Sequence, residues 1–339
     1  MLHYVDDADP GITRQRIGPD GAQTRWAYFD ARGRRITRRA EIDRLNAIAL
    51  PPAYVDAWFC PRPNGHIQAI GWDERGRKQY RYHPDFRAAR DAAKYDRCAD
   101  FGRALPAIRA AVERDLARPT LGRDRVVAAV VRLLDLGRVR VGNEAYAKAN
   151  RSFGATTLRH RHANVRGHSI HLEYMGKSGK LRRLSIRDAR LSRLVRRCQD
   201  LPGQHLFQYL DADGTPCPVT SGDVNDYLRR VSGGDFTAKH FRTWGASVIA
   251  FGALVAAGGH ISLKAMLTPV AEALGNTPAI ARKSYVHPAL IELAGNRGDS
   301  PLAGLKLPRR TKYLSSLERG LIAFLDNLAD PPETISKAA

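Results

Sequence analysis

Residues 175–180 read "MGKSGK", a glycine turn with lysines of the kind that holds phosphate. A nucleotide-binding P-loop needs G-x-x-x-x-G-K-[ST] after a strand and ahead of a helix. For Lys177 the leading glycine would fall at His171, and for Lys180 at Tyr174; a basic strand follows instead of a helix. The segment reads as a β-hairpin turn that lifts Lys177 to the tip of a basic hairpin, and ATP binding is not supported. A second cation is better anchored. Arg242 follows Phe241 on an apolar stripe at helical spacing (Phe241, Trp244, Val248, Phe251, Val255). Core packing there holds a guanidinium whose fork of donors suits a phosphate. Two more stretches carry polar groups at element ends. In "RVRVGNEAY" (138–146) a long apolar helix ends with Arg140, followed by a glycine turn and a short helix. In "LGNTPAIARKSYVHP" (274–288) a Gly-Asn-Thr-Pro turn starts a helix, and Tyr285 follows Asn276 by nine residues.

The elements that must position these residues fall into two groups. Residues 1–90 mix turn signals with short runs such as "PPAYVDAWFC", "GHIQAIGW" and "KQYRYHP", which predict a small, mainly β domain. From about residue 86 apolar residues recur three and four apart, and a larger, mainly helical domain is expected over 91–328, with a soft tail at 329–339. Its helical run is broken at 155–187 by three predicted strands, "ATTLRHRHANV", "SIHLEYM" and "LRRLSIRD". Ile170, Leu172 and Tyr174 share one face of the second, Leu184 and Ile186 one face of the third. Helices are predicted over 188–199, 221–232, 237–257, 261–274 and 312–328. The fold class is therefore α+β: a β-rich N-terminal domain and a mainly α domain with a small antiparallel sheet.

The 339 residues carry a formal net charge of +21, and residues 151–200 hold 13 Lys and Arg against 3 Asp and Glu. Charge this concentrated predicts a polyanionic partner. The four cysteines lie too far apart for a metal or redox motif, which fits a reducing cytosol. The N-terminus lacks the apolar region of a signal peptide, and "ASVIAFGALVAA" is too short to span a bilayer.

Arg140, Lys177, Arg242 and Tyr285, in this order and these contexts, resemble the catalytic set of the type IB DNA topoisomerases in their compact poxvirus-like and bacterial form. "GRKQYRYHP" (76–84) resembles the DNA-contacting N-terminal strand of that family, and "FGATTLR" (153–159) the start of its catalytic sheet. The resemblance keeps its order over roughly residues 40–325. It implies an enzyme that clamps duplex DNA as a monomer, cuts one strand through a 3′-phosphotyrosyl bond, lets the helix rotate and reseals it. That bond preserves the energy of the cut, so neither ATP nor metal is implied. Tyr285 corresponds to the nucleophile, and Arg140 and Arg242 to the cations that neutralise the non-bridging oxygens. Lys177 corresponds to the general acid for the 5′-oxygen, a task eased by positive neighbours. Asn276 stands where most relatives carry histidine; it can donate one hydrogen bond but brings no charge and cannot titrate. Lys239 matches a family lysine that touches the DNA backbone or supports Arg242. Gln79, Tyr80 and Tyr82 are the DNA-contact candidates of the N-terminal strand, and Tyr146 a support of the phosphate pocket. A bacterial cytoplasm, at the nucleoid, is the expected setting.

Two other readings share some of these features. A tyrosine recombinase uses the same nucleophile logic, but usually carries His-x-x-Arg where this chain has Lys239-x-x-Arg242, and a helical N-terminal domain. A DNA-binding clamp without chemistry would not need the Arg–Lys–Arg–Tyr set.

Overall fold

The computed structural model describes residues 1–17, 25–74, 76–296 and 300–329; most of the expected tail, 330–339, lies outside them. By its internal contacts the chain divides into two compact units, Met1–Lys94 and Tyr95–Ala339.

The first unit is built on a five-stranded antiparallel sheet of β1 (Ile12–Ile17), β2 (Arg25–Phe29), β3 (Val55–Phe59), β4 (Ile67–Trp72) and β5 (Lys78–Tyr82), with α1 (Arg39–Ala47) between β2 and β3. The spatial order is β2-β1-β3-β4-β5. β4, "IQAIGW", is buried along nearly its whole length, as an apolar strand with neighbours on both sides should be. Leu45 of α1 closes the core with Ile12, Tyr28, Leu50, Phe59 and Ala69. The three sequence-predicted strands of this region are β3, β4 and β5; β1, β2 and α1 were not anticipated. β1 reads "ITRQRI", and its polar positions conceal the strand. Arg14 shows why it is nonetheless stable: its guanidinium lies 4.0 Å over the Trp26 ring and donates to the Leu50 and Pro51 carbonyls at 2.8 and 2.6 Å. β5 is an edge strand. Tyr80 and Tyr82 point to the same side of it, their rings stacked 5.8 Å apart at 8°. The helix α2 (Pro84–Asp96) follows.

The second unit contains α3 (Cys98–Leu116), α4 (Arg123–Gly137), α5 (Glu144–Asn150), β6 (Ala163–Arg166), β7 (Ser169–Met175), β8 (Leu181–Arg187) and α6 (Ala189–Gln199). After them come the short pair β9 (Gln208–Leu210) and β10 (Pro216–Pro218), then α7 (Ser221–Ser232), α8 (Ala238–Ala256), α9 (Leu263–Leu274), α10 (Pro278–Ser284), α11 (Pro288–Gly295) and α12 (Ser316–Ala329). α4 is apolar nearly all round, with Val126 through Val131 buried without a break, so it runs through the core against α3, α6, α7 and α8. The sheet order is β6-β7-β8, with Ile170 opposite Ile186, Leu172 opposite Leu184 and Tyr174 opposite Arg182. The predicted inward faces are the observed ones: Ile170, Leu172, Tyr174 and Ile186 are buried.

The first predicted strand of this sheet is mostly something else. Residues Ala155–Thr157 and His160–His162 form 3₁₀ turns, and only Ala163–Arg166 pairs as a strand. The amides of Ala155 and Thr156 bond the carbonyls of Arg140 and Val141, at 2.8 and 2.7 Å, instead of a neighbouring strand. Burial pushes the buried His162 in this stretch down to about 4, helped by Arg161 and Arg159. Between pH 6.5 and 4 the unfolded chain therefore binds a proton that the folded chain refuses. The resulting prediction is that stability, complete above pH 6.5, falls as pH drops toward 4. Urea unfolding followed across that range should show a shallower fall in His162→Gln.

Candidate active site

α8 supplies the first cation. Its Arg242 is only 4% exposed, between the buried Phe241 and Thr243. A buried guanidinium is costly unless its donors are met. Nη1 donates to the Arg138 carbonyl and Nη2 to the Leu274 carbonyl at 3.2 Å. Its buried Nε faces no protein acceptor. Among the described residues Arg242 has no carboxylate partner; its charge meets instead the ring of Tyr285, 4.7 Å away. Burial lowers its pKa, Tyr285 opposes this, and the charges of Arg140 and Arg182 add to the lowering.

Arg140 is not part of the long helix, contrary to the sequence expectation. α4 stops at Gly137, Arg138 turns the chain in the left-handed region (φ 49°), and Arg140 follows in irregular backbone. That segment is pinned by the buried Val139 and by the two bonds from the 155–157 turn. Gly154 permits the approach: a Cβ there would lie 2.6 Å from the Arg140 carbonyl oxygen. Arg140 Nη2 donates to Asn276 Oδ1 at 2.9 Å.

Asn276 follows Gly275, which ends α9 in the left-handed region (φ 61°). Its amide donates back to the Ala271 carbonyl at 2.9 Å. With Oδ1 engaged by Arg140, the buried Nδ2 has no protein acceptor. Two donors of the pocket, Arg242 Nε and Asn276 Nδ2, are thus unspent, which is what an incoming anion requires.

Tyr285 caps the C-terminus of α10, its amide bonded to Ala281 at 3.0 Å, with the buried Val286 anchoring the next position. The amide of His287 donates to Ser247 Oγ of α8 at 3.1 Å, so the nucleophile candidate and Arg242 hang from one helix. Burial alone would raise the phenol's pKa, but Arg242 and Arg140, through charge and hydrogen bonding, hold it below the ordinary tyrosine value.

The structure therefore gathers Arg140, Arg242, Asn276 and Tyr285. Lys177 stands apart from their hydrogen bonds, exposed in the β7–β8 turn, where Ser178 takes φ 65° and Gly179 φ 68°. Lys239 is exposed in the first turn of α8, and Tyr146 is half-buried on α5, its amide bonded to Asn143 Oδ1 at 2.9 Å. In the first unit, Gln79 donates to Asp73 Oδ2 at 3.0 Å beside the Tyr80–Tyr82 stack.

Two residues of the pocket wall, Arg182 and Tyr174, are not among the sequence-predicted site candidates, although the sequence places Tyr174 on the inward face of its strand. Arg182 of β8 donates to the Ala273 carbonyl at 3.0 Å and lies against Gly275, where a Cβ would come within 1.9 Å of its Nη1. Buried Tyr174 lies opposite it, its pKa raised by burial against the pull of Arg182, Arg242 and Arg140. A signal existed: Arg182 is two residues before Leu184 and four before Ile186, on the inward face of β8.

Comparison with known proteins decides the family. Residues 83–286, which include all five residues Arg140, Lys177, Arg242, Asn276 and Tyr285, match the eukaryotic DNA topoisomerase I catalytic core. Residues 25–73 match the bacterial DNA topoisomerase IB N-terminal domain. DNA topoisomerase 1B of Acanthamoeba polyphaga mimivirus is 33% identical over 300 residues, covering 84% of this chain and 88% of the viral protein. The chain belongs to the type IB DNA topoisomerases. As a type IB topoisomerase it acts on DNA, and it joins a bacterial-type N-terminal domain to the catalytic core. DNA topoisomerase 1 of Mycosarcoma maydis is 26% identical over 306 residues, which span 82% of this topoisomerase but 28% of the fungal one. The XerH site-specific recombinase bound to difH substrate aligns with a TM-score of 0.37 at 12% identity, over 57% of this chain and 52% of that one. No described helix is long and apolar enough to cross a membrane.

Proposed function

We propose that Tyr285 attacks the scissile phosphodiester and carries the 3′ end of the cut strand, while Arg140, Arg242 and Asn276 Nδ2 bind its non-bridging oxygens. The observation that carries this is the buried Arg242: a cation without a carboxylate partner among the described residues, lying against Tyr285, whose phenol it helps hold below the ordinary tyrosine value. As the pentacoordinate phosphorane forms, negative charge grows on the oxygens these donors face, so they stabilise the transition state more than the ground state. Tyr285, more acidic than an ordinary phenol, gives its proton to solvent as the tyrosyl bond forms and the bond to the 5′-oxygen breaks. Lys177, on its exposed turn, delivers a proton to that 5′-oxygen once DNA brings the hairpin tip to the cut. Resealing is the reverse, with the 5′-hydroxyl as nucleophile.

In this reading the enzyme works as a monomer on the nucleoid, its two units closing around the duplex. Gln79, Tyr80 and Tyr82 meet DNA from the first unit, Lys239 and Tyr146 from the second. The test is relaxation of supercoiled plasmid in EDTA without ATP, with denaturant added mid-reaction. Relaxation and protein attached to the 3′ end are expected. A requirement for magnesium, or attachment at the 5′ end, would defeat the proposal. Duplex affinity should also fall steeply with salt, on the order of 10³-fold between 50 and 200 mM for a clamp making six or more phosphate contacts. Anisotropy titrations that stay flat over that range would contradict backbone tracking.

A further inference from the structure

A second cluster of cations lies near the other end of α4, about 20 Å along that helix from the pocket of Arg140 and Arg242. A cavity of about 340 Å³ is lined by Leu116 and Ala117 at the end of α3, Arg125 of α4, and Arg190, Arg193 and Arg197 of α6. The α6 arginines recur at spacings of three and four, so they share one face of the helix. Leu191, Leu194, Val195 and Cys198 of the same helix are buried.

The four guanidiniums are poorly neutralised. Arg190 reaches Glu113 at 3.4 Å, a carboxylate already engaged by Lys312 at 3.1 Å. Arg125, Arg193 and Arg197 have no carboxylate partner among the described residues. Arg125 and Arg197 both donate to the Pro119 carbonyl, at 2.8 and 3.0 Å, and Arg193 only to the Ala189 carbonyl of its own helix at 3.4 Å. The buried Nε of Arg125 has no acceptor among the described residues. Burial, then the charges of Arg197 and Arg193, lower the pKa of Arg125, as expected for cations held together against repulsion.

We infer that this cavity is a binding site for an oligophosphate, separate from the DNA-cleavage pocket. Guanidinium forks converging on one small space match several phosphate oxygens at once. Among the described residues no aromatic or carboxylate side chain lines the cavity, so none of them reads a base or a sugar. The recognised chemistry is the phosphate chain itself, whether inorganic or the tail of a nucleotide.

The test is calorimetric titration of the full chain with sodium tripolyphosphate and, separately, ATP at constant ionic strength. Wild type, Arg193→Glu/Arg197→Glu and Arg140→Ala are compared. Both ligands should bind wild type within about threefold of each other. The double variant should weaken both at least tenfold, and Arg140→Ala should leave them within about twofold. Without oligophosphate the double variant should relax plasmid like wild type and melt no lower, because mutual repulsion has been removed. Four results would each overturn the site: no binding to wild type, undiminished binding to the double variant, ATP more than tenfold tighter than tripolyphosphate, or a lower melting midpoint for the double variant. A parallel loss of duplex affinity in the double variant would overturn it too, by showing the cluster to be a DNA-backbone surface.

Discussion

Tyr285→Phe is expected to abolish plasmid relaxation and covalent capture of DNA while leaving duplex affinity within about twofold. The substitution removes one oxygen. The ring that packs on Arg242 stays, so the pocket keeps its cation, and the salt-dependent contacts of the duplex are untouched. Tyr174, the tyrosine that also feels Arg242 and Arg140, is a poor substitute, because it is buried and its phenol is harder, not easier, to ionise. Relaxation that survives in Tyr285→Phe would assign the nucleophile wrongly. Loss of binding along with activity would show that the variant had misfolded or that the hydroxyl holds DNA, and Tyr285→Ala read by circular dichroism separates those two.

The second large effect is expected from Arg140→Ala. Losing one positioned donor to a developing oxyanion costs on the order of 10²–10³ in rate. Arg140 also contributes to acidifying the phenol, and its removal releases Asn276 Oδ1. The cleavage rate of a nicked or end-labelled duplex should therefore drop by at least about 100-fold at neutral pH. With one of its two cations gone, the Tyr285 pKa moves up, so the rate of the variant should keep rising with pH beyond the point where wild type levels off. A variant slowed equally at every pH would mean that Arg140 binds the phosphate without acidifying the tyrosine. Arg140 is a better choice than Arg242 for this measurement, because Arg242 is buried and ties together the carbonyls of Arg138 and Leu274.

The roles proposed for these residues come from the family resemblance, but where several of them sit in the fold is legible in the sequence for local reasons. Arg242 could be read because an apolar stripe at helical spacing states where a helix buries its face, and Tyr285 because a Thr-Pro start fixes where its helix begins. The hairpin could be read because Ile170, Leu172 and Tyr174 alternate. What stayed hidden was tertiary. Arg140 was assigned to the end of a helix, since nothing in "RVRVG" reveals that Arg138 takes a left-handed turn and that residues 155–157 bond the segment beyond it. That same bonding takes up the amides of Ala155 and Thr156, so the predicted strand does not pair there. Arg182 was lost in a run of basic residues, although the phase of its own strand placed it inward. β1 was missed because its arginines look solvated, whereas Arg14 is stacked on Trp26.

The bond from the His287 amide to Ser247 Oγ has a kinetic meaning. α8 carries Arg242 in its first turns and, a little over one turn later, the hydroxyl that fastens the chain just past Tyr285. Tyr285, at the end of α10, is therefore tied to the helix that carries Arg242, its ring 4.7 Å from the guanidinium. On the proposed reading this pair need not assemble before the first cut, and only Lys177 has to be brought in by the duplex.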